Sequence, residues 1–261
     1  MTAIIALFNQ SGGVGKTTLT MNLGYHLAML KKRVLLVDID PQASLTTFMG
    51  LKPFELEHTI RDALISQQDL PLYRQIHDVD LVPSNIFLSE AEMQLVTEFR
   101  REYRLLDALE PVKNLYDFIL LDCPPSLGLL SIMCLVAATQ LLIPIQTEYK
   151  AVEGTMFLLK TISDLVKKVN RDIQVLGAVP TMYDERTVQG KNALQAIQAI
   201  FEQLKVHKNF QNSQVYPAIA RRTDFANASA AHQPLAVFSP GNSALNILNQ
   251  IAKQLDSSND N

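Results

Sequence analysis

No stretch constrains this chain more than Asn9-Gln10-Ser11-Gly12-Gly13-Val14-Gly15-Lys16-Thr17-Thr18. An apolar run, Ala3-Ile4-Ile5-Ala6-Leu7-Phe8, precedes it and reads as a buried strand. A helical pattern with Leu19, Leu23, Leu27 and Leu30 on one face follows it. A strand that feeds a glycine loop opening a helix is the context of a phosphate-binding loop. There the backbone N–H groups from Gly12 to Thr17 converge on an anion, and the helix N-terminus adds its partial positive charge. In that reading Lys16 reaches the β- and γ-phosphates and the Thr17 hydroxyl ligates Mg²⁺. The usual spacing asks for glycine where this chain has Gln10; what it carries is the tighter Gly-Gly-x-Gly-Lys-Thr-Thr form.

Beyond the loop, strand-like and helix-like segments alternate. Lys32–Asp38, Asp80–Pro83, Tyr116–Asp122, Gln140–Ile145 and Val175–Val179 read as strands, the longer ones continuous in Val, Ile and Leu as buried parallel strands are. A loop-rich region from Pro41 to Gln75 holds a short helix near Thr59–Ile65. Leu88, Leu95, Phe99, Leu106 and Leu109 predict one helix face, and further helices are expected over 151–169, around Leu194–Leu204 and around Ala244–Leu255. This alternation predicts an α/β fold with a doubly wound, mostly parallel sheet. A single domain is expected over 1–255, followed by a polar, irregular tail at 256–261.

In such sheets ligands collect at the carboxyl ends of the strands. Asp38 and Asp40 end one strand, in Val37-Asp38-Ile39-Asp40-Pro41-Gln42, and Asp122 ends another, in Leu121-Asp122-Cys123-Pro124-Pro125. Beside phosphates and Mg²⁺ such acids have a use: Asp122 can hold a metal-bound water, and Asp40 can orient or deprotonate the attacking water. Asp38 could support the metal's surroundings or couple a switch loop to it. Thr17, Asp40 and Asp122 are thus the candidate metal-side residues, and Lys16, Asp38, Asp40 and Asp122 the candidate catalytic ones.

Composition narrows the class. No apolar run is long enough to span a membrane, no basic segment precedes the first apolar run, and two cysteines in 261 residues suit a reducing compartment. A cytoplasmic location is expected. The formal net charge of −3 is unevenly spread: residues 1–159 hold 12 Lys and Arg against 18 Asp and Glu, whereas residues 160–253 hold 11 against 6. The basic C-terminal part is either a patch for a polyanion or a solvated helix surface.

The segments Asn9–Thr18, Asp38–Gln42, Asp122–Ser126 and Glu148–Gly154, in this order and context, resemble the ParA/MinD family of deviant Walker-A ATPases. The likeness runs from Thr2 to about Leu255. It is closer to ParA than to MinD, because the last residues lack the apolar face of a membrane-binding helix. The resemblance implies a homodimer that forms with ATP, binds DNA without sequence preference on the nucleoid, and hydrolyses ATP slowly until a cargo-associated partner stimulates it. It also implies that Met182 and Pro217, with Tyr183–Thr187 nearby, lie against the adenine. Arg221 and Arg222 are implied to lead to the DNA surface; the alternative for them is an ion pair with Asp224 or Glu185.

One departure matters: the family has a lysine, acting across the dimer, where this chain has Ser11. Lys150 stands where relatives carry an aromatic or apolar residue, so the cation is expected to have moved there, which adds Lys150 to the candidate catalytic residues; the alternative is a surface lysine at a helix start. With serine at this position the chain is similar to the McdA group, which positions carboxysomes, and an McdB-like partner is then implied; the alternative is plasmid or chromosome partition. Two readings from other classes remain. Cys123 and Cys134 could supply thiolates to an iron–sulfur cluster shared between subunits, as in the nitrogenase iron protein, or the chain could be a DNA-binding module without turnover.

Overall fold

The computed structural model describes residues 2–259, and within them not the side chains of residues 149–153, 166 and 167. In chain order the elements are β1 (Ala3–Leu7), α1 (Lys16–Met29), β2 (Val34–Asp38), α2 (Ser44–Phe48), α3 (Ile60–Ser66), β3 (Tyr73–Ile76), β4 (Val79–Val82), α4 (Leu88–Leu95) and α5 (Arg104–Leu109). They continue as β5 (Phe118–Asp122), α6 (Leu129–Ala137), β6 (Gln140–Gln146), α7 (Tyr149–Val169), β7 (Gln174–Thr181), α8 (Val188–Leu204), β8 (Gln214–Val215), α9 (Thr223–Ala230), α10 (Leu235–Phe238) and α11 (Ala244–Asn259). The strands form one eight-stranded sheet in the order β3-β4-β2-β5-β1-β6-β7-β8, parallel except where β3 runs against β4.

Side-chain alternation along each strand divides the interior into two layers. Ala3, Ile5 and Leu7 of β1 face the layer of α1, α9, α10 and α11, whereas Ile4, Ala6 and Phe8 face that of α3 to α8. Burial on both sides is why the central strands are apolar at every position rather than at every second one. The doubly wound, mostly parallel sheet expected from the alternation of segments is the one observed.

Several local expectations differ. The single helix face from Leu88 to Leu109 is two helices, α4 and α5, separated by a turn in which Arg100 takes a left-handed φ of 55°. Phe99 is 87% exposed, and the buried positions of α5 are Leu105 and Leu109 rather than Leu106. The tail expected to be irregular from Asp256 is helical through Asn259, where Asp256 pairs with Lys32 at 2.6 Å. The edge strand β3, of 4 residues, and α2 lie in or at the end of the stretch read as loop-rich, and β8, of 2 residues, lies where no element is expected.

Candidate nucleotide site

The register of the central strands aligns the site. Leu7 on β1 pairs with Asp122 on β5, which pairs in turn with Asp38 on β2, so two acids and the start of the glycine loop stand level at one sheet end. The loop then turns back into α1. Gly13 and Gly15 hold φ of 74° and 93°, a region costly for residues with a Cβ, so glycine at these two positions follows from the turn itself. The first turn of α1 carries no acidic residue and no side-chain cap, which leaves its positive end turned to the loop's concavity.

Two bonds pin the loop to the sheet and a third braces it internally. Asn9 Nδ2 donates to the Pro144 carbonyl at 2.7 Å, and Asn9 Oδ1 accepts the Ser11 N–H at 2.8 Å. At the far side the Thr181 hydroxyl of β7 donates to the Val14 carbonyl at 2.8 Å. Lys16 is buried and folded back, its Nζ donating to the carbonyls of Asn9 (2.9 Å) and Ser11 (3.0 Å). Burial lowers its pKa, against the pull of Asp122, Cys123 and Asp40. Its ammonium therefore bridges the loop's own carbonyls, and those bonds can be exchanged for phosphate oxygens.

Asp38 is fully buried. Its Oδ2 accepts from both the backbone N–H (2.8 Å) and the hydroxyl (2.7 Å) of Thr46, and its Oδ1 from the Asp40 N–H at 3.1 Å. Burial nonetheless pushes its pKa up to about 7, with those three donors acting against the shift. Asp122 is pushed well above the carboxylate range, first by burial and then by Asp38, with the Thr17 hydroxyl opposing. The Thr20 hydroxyl lies 3.3 Å from Asp122 Oδ1, while Oδ2 is buried with no partner among the described residues. Asp40, half-buried, is raised by burial and opposed by the Gln42 N–H on its Oδ1 (2.9 Å) and by Lys16.

This donor set fits Mg²⁺. A cation beside Asp122 would satisfy the orphaned oxygen and relieve the repulsion among three crowded carboxylates. Among the described residues no set of three or more His, Cys, Asp or Glu side chains could hold a metal by itself. Mg²⁺ takes one or two carboxylates and draws the rest of its shell from phosphate and water.

Beyond the loop lies a cavity of about 450 Å³ whose wall includes Gly15, Thr18, Met182, Ile219, Phe225 and Leu248, with Arg221 and Arg222 at its rim. Met182, expected against the base, is there in a left-handed conformation (φ 53°). Pro217 is not among the lining residues; Ile219 and Phe225, just after it in the chain, stand in its place. Arg221 reaches Glu148 at 4.0 Å and Arg222 donates to the Ser243 hydroxyl at 2.7 Å, so neither pairs with Asp224 or Glu185 as the alternative had it. Gln10 and Ser11 border a second cleft with Glu148, and the Gln10 amide nitrogen is buried with no partner among the described residues. Lys150 lies outside the residues whose side chains are described. Thr46, Thr20, Thr181, Phe225 and Leu248 carry no local motif and were not readable in advance.

A family model described as an AAA domain (AAA_31) matches residues 2–175. Soj, the sporulation initiation inhibitor protein of Bacillus subtilis, is 38% identical over 258 residues, 98% of each chain. The chromosome partitioning protein ParA of Myxococcus xanthus is 42% identical over 205 residues, 76% of this chain and 71% of its own length. The chain belongs to the ParA/MinD family of ATPases. Among solved structures, a protein named cobyrinic acid a,c-diamide synthase from Mycobacterium smegmatis, with bound ATP analog and magnesium, is 32% identical with a TM-score of 0.83, covering 98% of this chain and 94% of its own. Apo McdA from Cyanothece is 24% identical, covers 97% and 99%, and has a TM-score of 0.83, a likeness of fold alone. For this ParA/MinD chain the two cysteines are packing groups: both are buried, and burial together with Cys134 pushes the Cys123 thiol up, which leaves no surface thiolate for a cluster shared between subunits.

Proposed function

We propose that the chain is a MgATP-dependent dimerising switch of ParA type. The observation that carries the reading is the level placement of buried Asp38 and Asp122 beside the loop that holds Lys16. When bound, Mg²⁺ would screen the phosphate charge and order water at the γ-phosphate. With nucleotide bound Lys16 would leave the Asn9 and Ser11 carbonyls for phosphate oxygens, and Thr17 and Asp122 would hold the metal side. Asp40, next to them and the more exposed of the acids, orients the attacking water and accepts its proton. Asp38, tied to Thr46, fixes the loop that carries Asp40. The apolar cavity beyond Gly15 takes the base, with Met182, Ile219, Phe225 and Leu248 as its walls.

In the ATP-bound dimer Arg221 and Arg222 contact DNA phosphates without reading sequence, and a cargo-associated partner stimulates hydrolysis and release. No helix among the described residues is long and apolar enough to cross a membrane, and the working location is the cytoplasm at the nucleoid. Two cargoes have support. Likeness to ParA of Myxococcus xanthus favours a chromosome or plasmid partition complex, and Ser11 with Lys150 favours a carboxysome with an McdB-like partner. Genes adjacent to this one separate the two. The switch itself is tested by sedimentation with and without MgATP, followed by DNA titration of wild type and Arg221→Glu/Arg222→Glu. Dimers only with MgATP, and DNA affinity that falls steeply with salt and is weakened in the variant, are expected. A salt-independent DNA affinity equal in both proteins refutes the phosphate-contact reading.

A further inference from the structure

A cavity of about 480 Å³ lies well away from the nucleotide site. Its wall runs from Ala63 of α3 through the loop at 67–72 to α5 and on to Leu115, just before β5. It therefore sits toward the amino end of the strands, whereas Asp38 and Asp122 stand at their carboxyl ends. Ala63, Leu70, Leu72, Ala108 and Val112 give it an apolar lining, and the exposed Gln67, Gln68 and Asp69 form its rim. Gln67 closes α3 with a φ of 52°, at a position where glycine escapes the strain, so an amide is kept at the rim at a cost to the fold.

Four ionisable side chains line the cavity, two of each sign: Asp69, Arg74, Arg104 and Asp107. They are unequally satisfied. Arg74 is engaged by Asp80 at 3.2 Å, a carboxylate that also accepts the Tyr116 hydroxyl at 2.7 Å. The Arg104 side chain is 12% exposed and gives one N–H to Glu98 at 3.2 Å, but its Nε is buried with no partner among the described residues. A guanidinium N–H held out of water without an acceptor is costly, which favours a ligand that brings one. Asp107, three residues on and on the same face of α5, meets Arg100 only at 3.9 Å, and Arg100 itself lies over the Tyr103 ring. Asp69 forms no hydrogen bond or ion pair among the described residues.

We infer that this cavity is a binding site for a free apolar α-amino acid. The ligand's carboxylate pairs with Arg104, its ammonium with Asp69 and Asp107, and its side chain packs on Leu70, Leu72, Ala108 and Val112. Charge balance selects a zwitterion. A plain carboxylate leaves both acids unanswered, and a plain amine leaves the Arg104 N–H without its acceptor. Size agrees, since cavities of about 300–1,000 Å³ hold small ligands, and the apolar lining disfavours a charged side chain on the amino acid. The site is separate from the nucleotide loop and does not rest on the switch function proposed above.

The test is a ligand-observed NMR titration of the full chain with L-leucine and two of its fragments: 4-methylpentanoate, which lacks the ammonium, and 3-methylbutylamine, which lacks the carboxylate. Leucine is expected to bind with a Kd of about 1 mM or below, and each fragment about tenfold or more weakly. Asp69→Asn with Asp107→Asn should weaken leucine about tenfold and leave 4-methylpentanoate within about twofold, because the two acids serve the ammonium alone. Arg104→Gln should weaken leucine and 4-methylpentanoate alike; if it fails to fold, the aspartate pair, whose side chains are exposed, still decides. Leucine affinity should be the same within about twofold with and without MgATP. Displacement of leucine by MgATP overturns the assignment, because the amino acid then occupies the cavity beyond Gly15. No leucine binding up to about 10 mM, or unchanged leucine affinity in Asp69→Asn/Asp107→Asn, overturns it too. So does 4-methylpentanoate binding as tightly as leucine, which would make this a site for carboxylates alone.

Discussion

Thr46→Val removes a single hydroxyl on which two buried groups depend. Its oxygen accepts the Ser84 N–H (2.9 Å) and its hydrogen goes to Asp38 Oδ2 (2.7 Å). Valine keeps the shape but not the polarity, so the Ser84 N–H is left without an acceptor, at a cost of about 1–3 kcal/mol. Asp38 keeps the two backbone donors and loses the third, worth about 1.5–3 kcal/mol to an ionised carboxylate and about 1 kcal/mol to a neutral one. Which applies depends on pH. In the wild type Asp38 titrates near 7 in the fold against an ordinary value of 3.8, so its contribution is full below about pH 4 and declines as pH rises through 7. Taking away a donor that favours the charged form raises the folded pKa further and extends the decline by about one unit, or about 1.4 kcal/mol. The expected loss, from urea unfolding of nucleotide-free protein, is about 3 kcal/mol at pH 5.5 and about 4 kcal/mol at pH 8.5. A loss under about 1 kcal/mol at both values, or a larger loss at the acid one, refutes the linkage of Asp38 through Thr46 to Ser84.

Lys16→Ala should abolish ATP binding in calorimetry, because it removes the one cation that the loop itself holds in place; affinity within a few-fold of wild type contradicts the phosphate-loop assignment. Asp40→Ala should keep ATP affinity, slow turnover by about a hundredfold or more and trap dimers in gel filtration; a monomer that retains no nucleotide contradicts the role of Asp40. Lys150→Ala should weaken ATP-dependent dimerisation by about 1.5–3 kcal/mol if the trans cation has moved there, with Ser11→Lys restoring it; normal dimers in Lys150→Ala end that reading. Gly177→Ala should destabilise the fold by more than about 3 kcal/mol, since φ is +139° and a Cβ would run into the Gln214 backbone; thermal melting at the wild-type temperature would mean that β8 can shift freely.

What could be read from the sequence was whatever is written in neighbouring residues. The glycine loop, the unbroken apolar strands and the acids at their ends are local patterns, and β1, β2 and β5 stand where those patterns put them. The anchor of Asp38 is another matter. Thr46 lies eight residues on, in a stretch rich in turn formers, and acquires its part only through the packing of α2 under the sheet end. The cavity beyond Gly15 is gathered from four distant segments, around Gly15, Met182, Phe225 and Leu248, which share no spacing rule. Helix periodicity misled at Phe99, because a leucine-rich stretch broken at Arg100 keeps a plausible repeat on paper while its middle turns to solvent. β8 is short and held by pairing with β7 rather than by its own composition, so nothing local announces it.

The phosphate loop and its supports lie far apart in the sequence. β1 finds its neighbours in β5 and β6, more than a hundred residues on, and Leu248, which helps close the cavity beside Gly15, arrives with the final helix packed on α1. A chain in which α11 is not yet folded therefore carries the whole glycine motif without the closed cavity beside Gly15. Nucleotide capture thus reports that α11 has docked on α1, and chains in which that helix is unfolded are kept out of any assembly that ATP licenses.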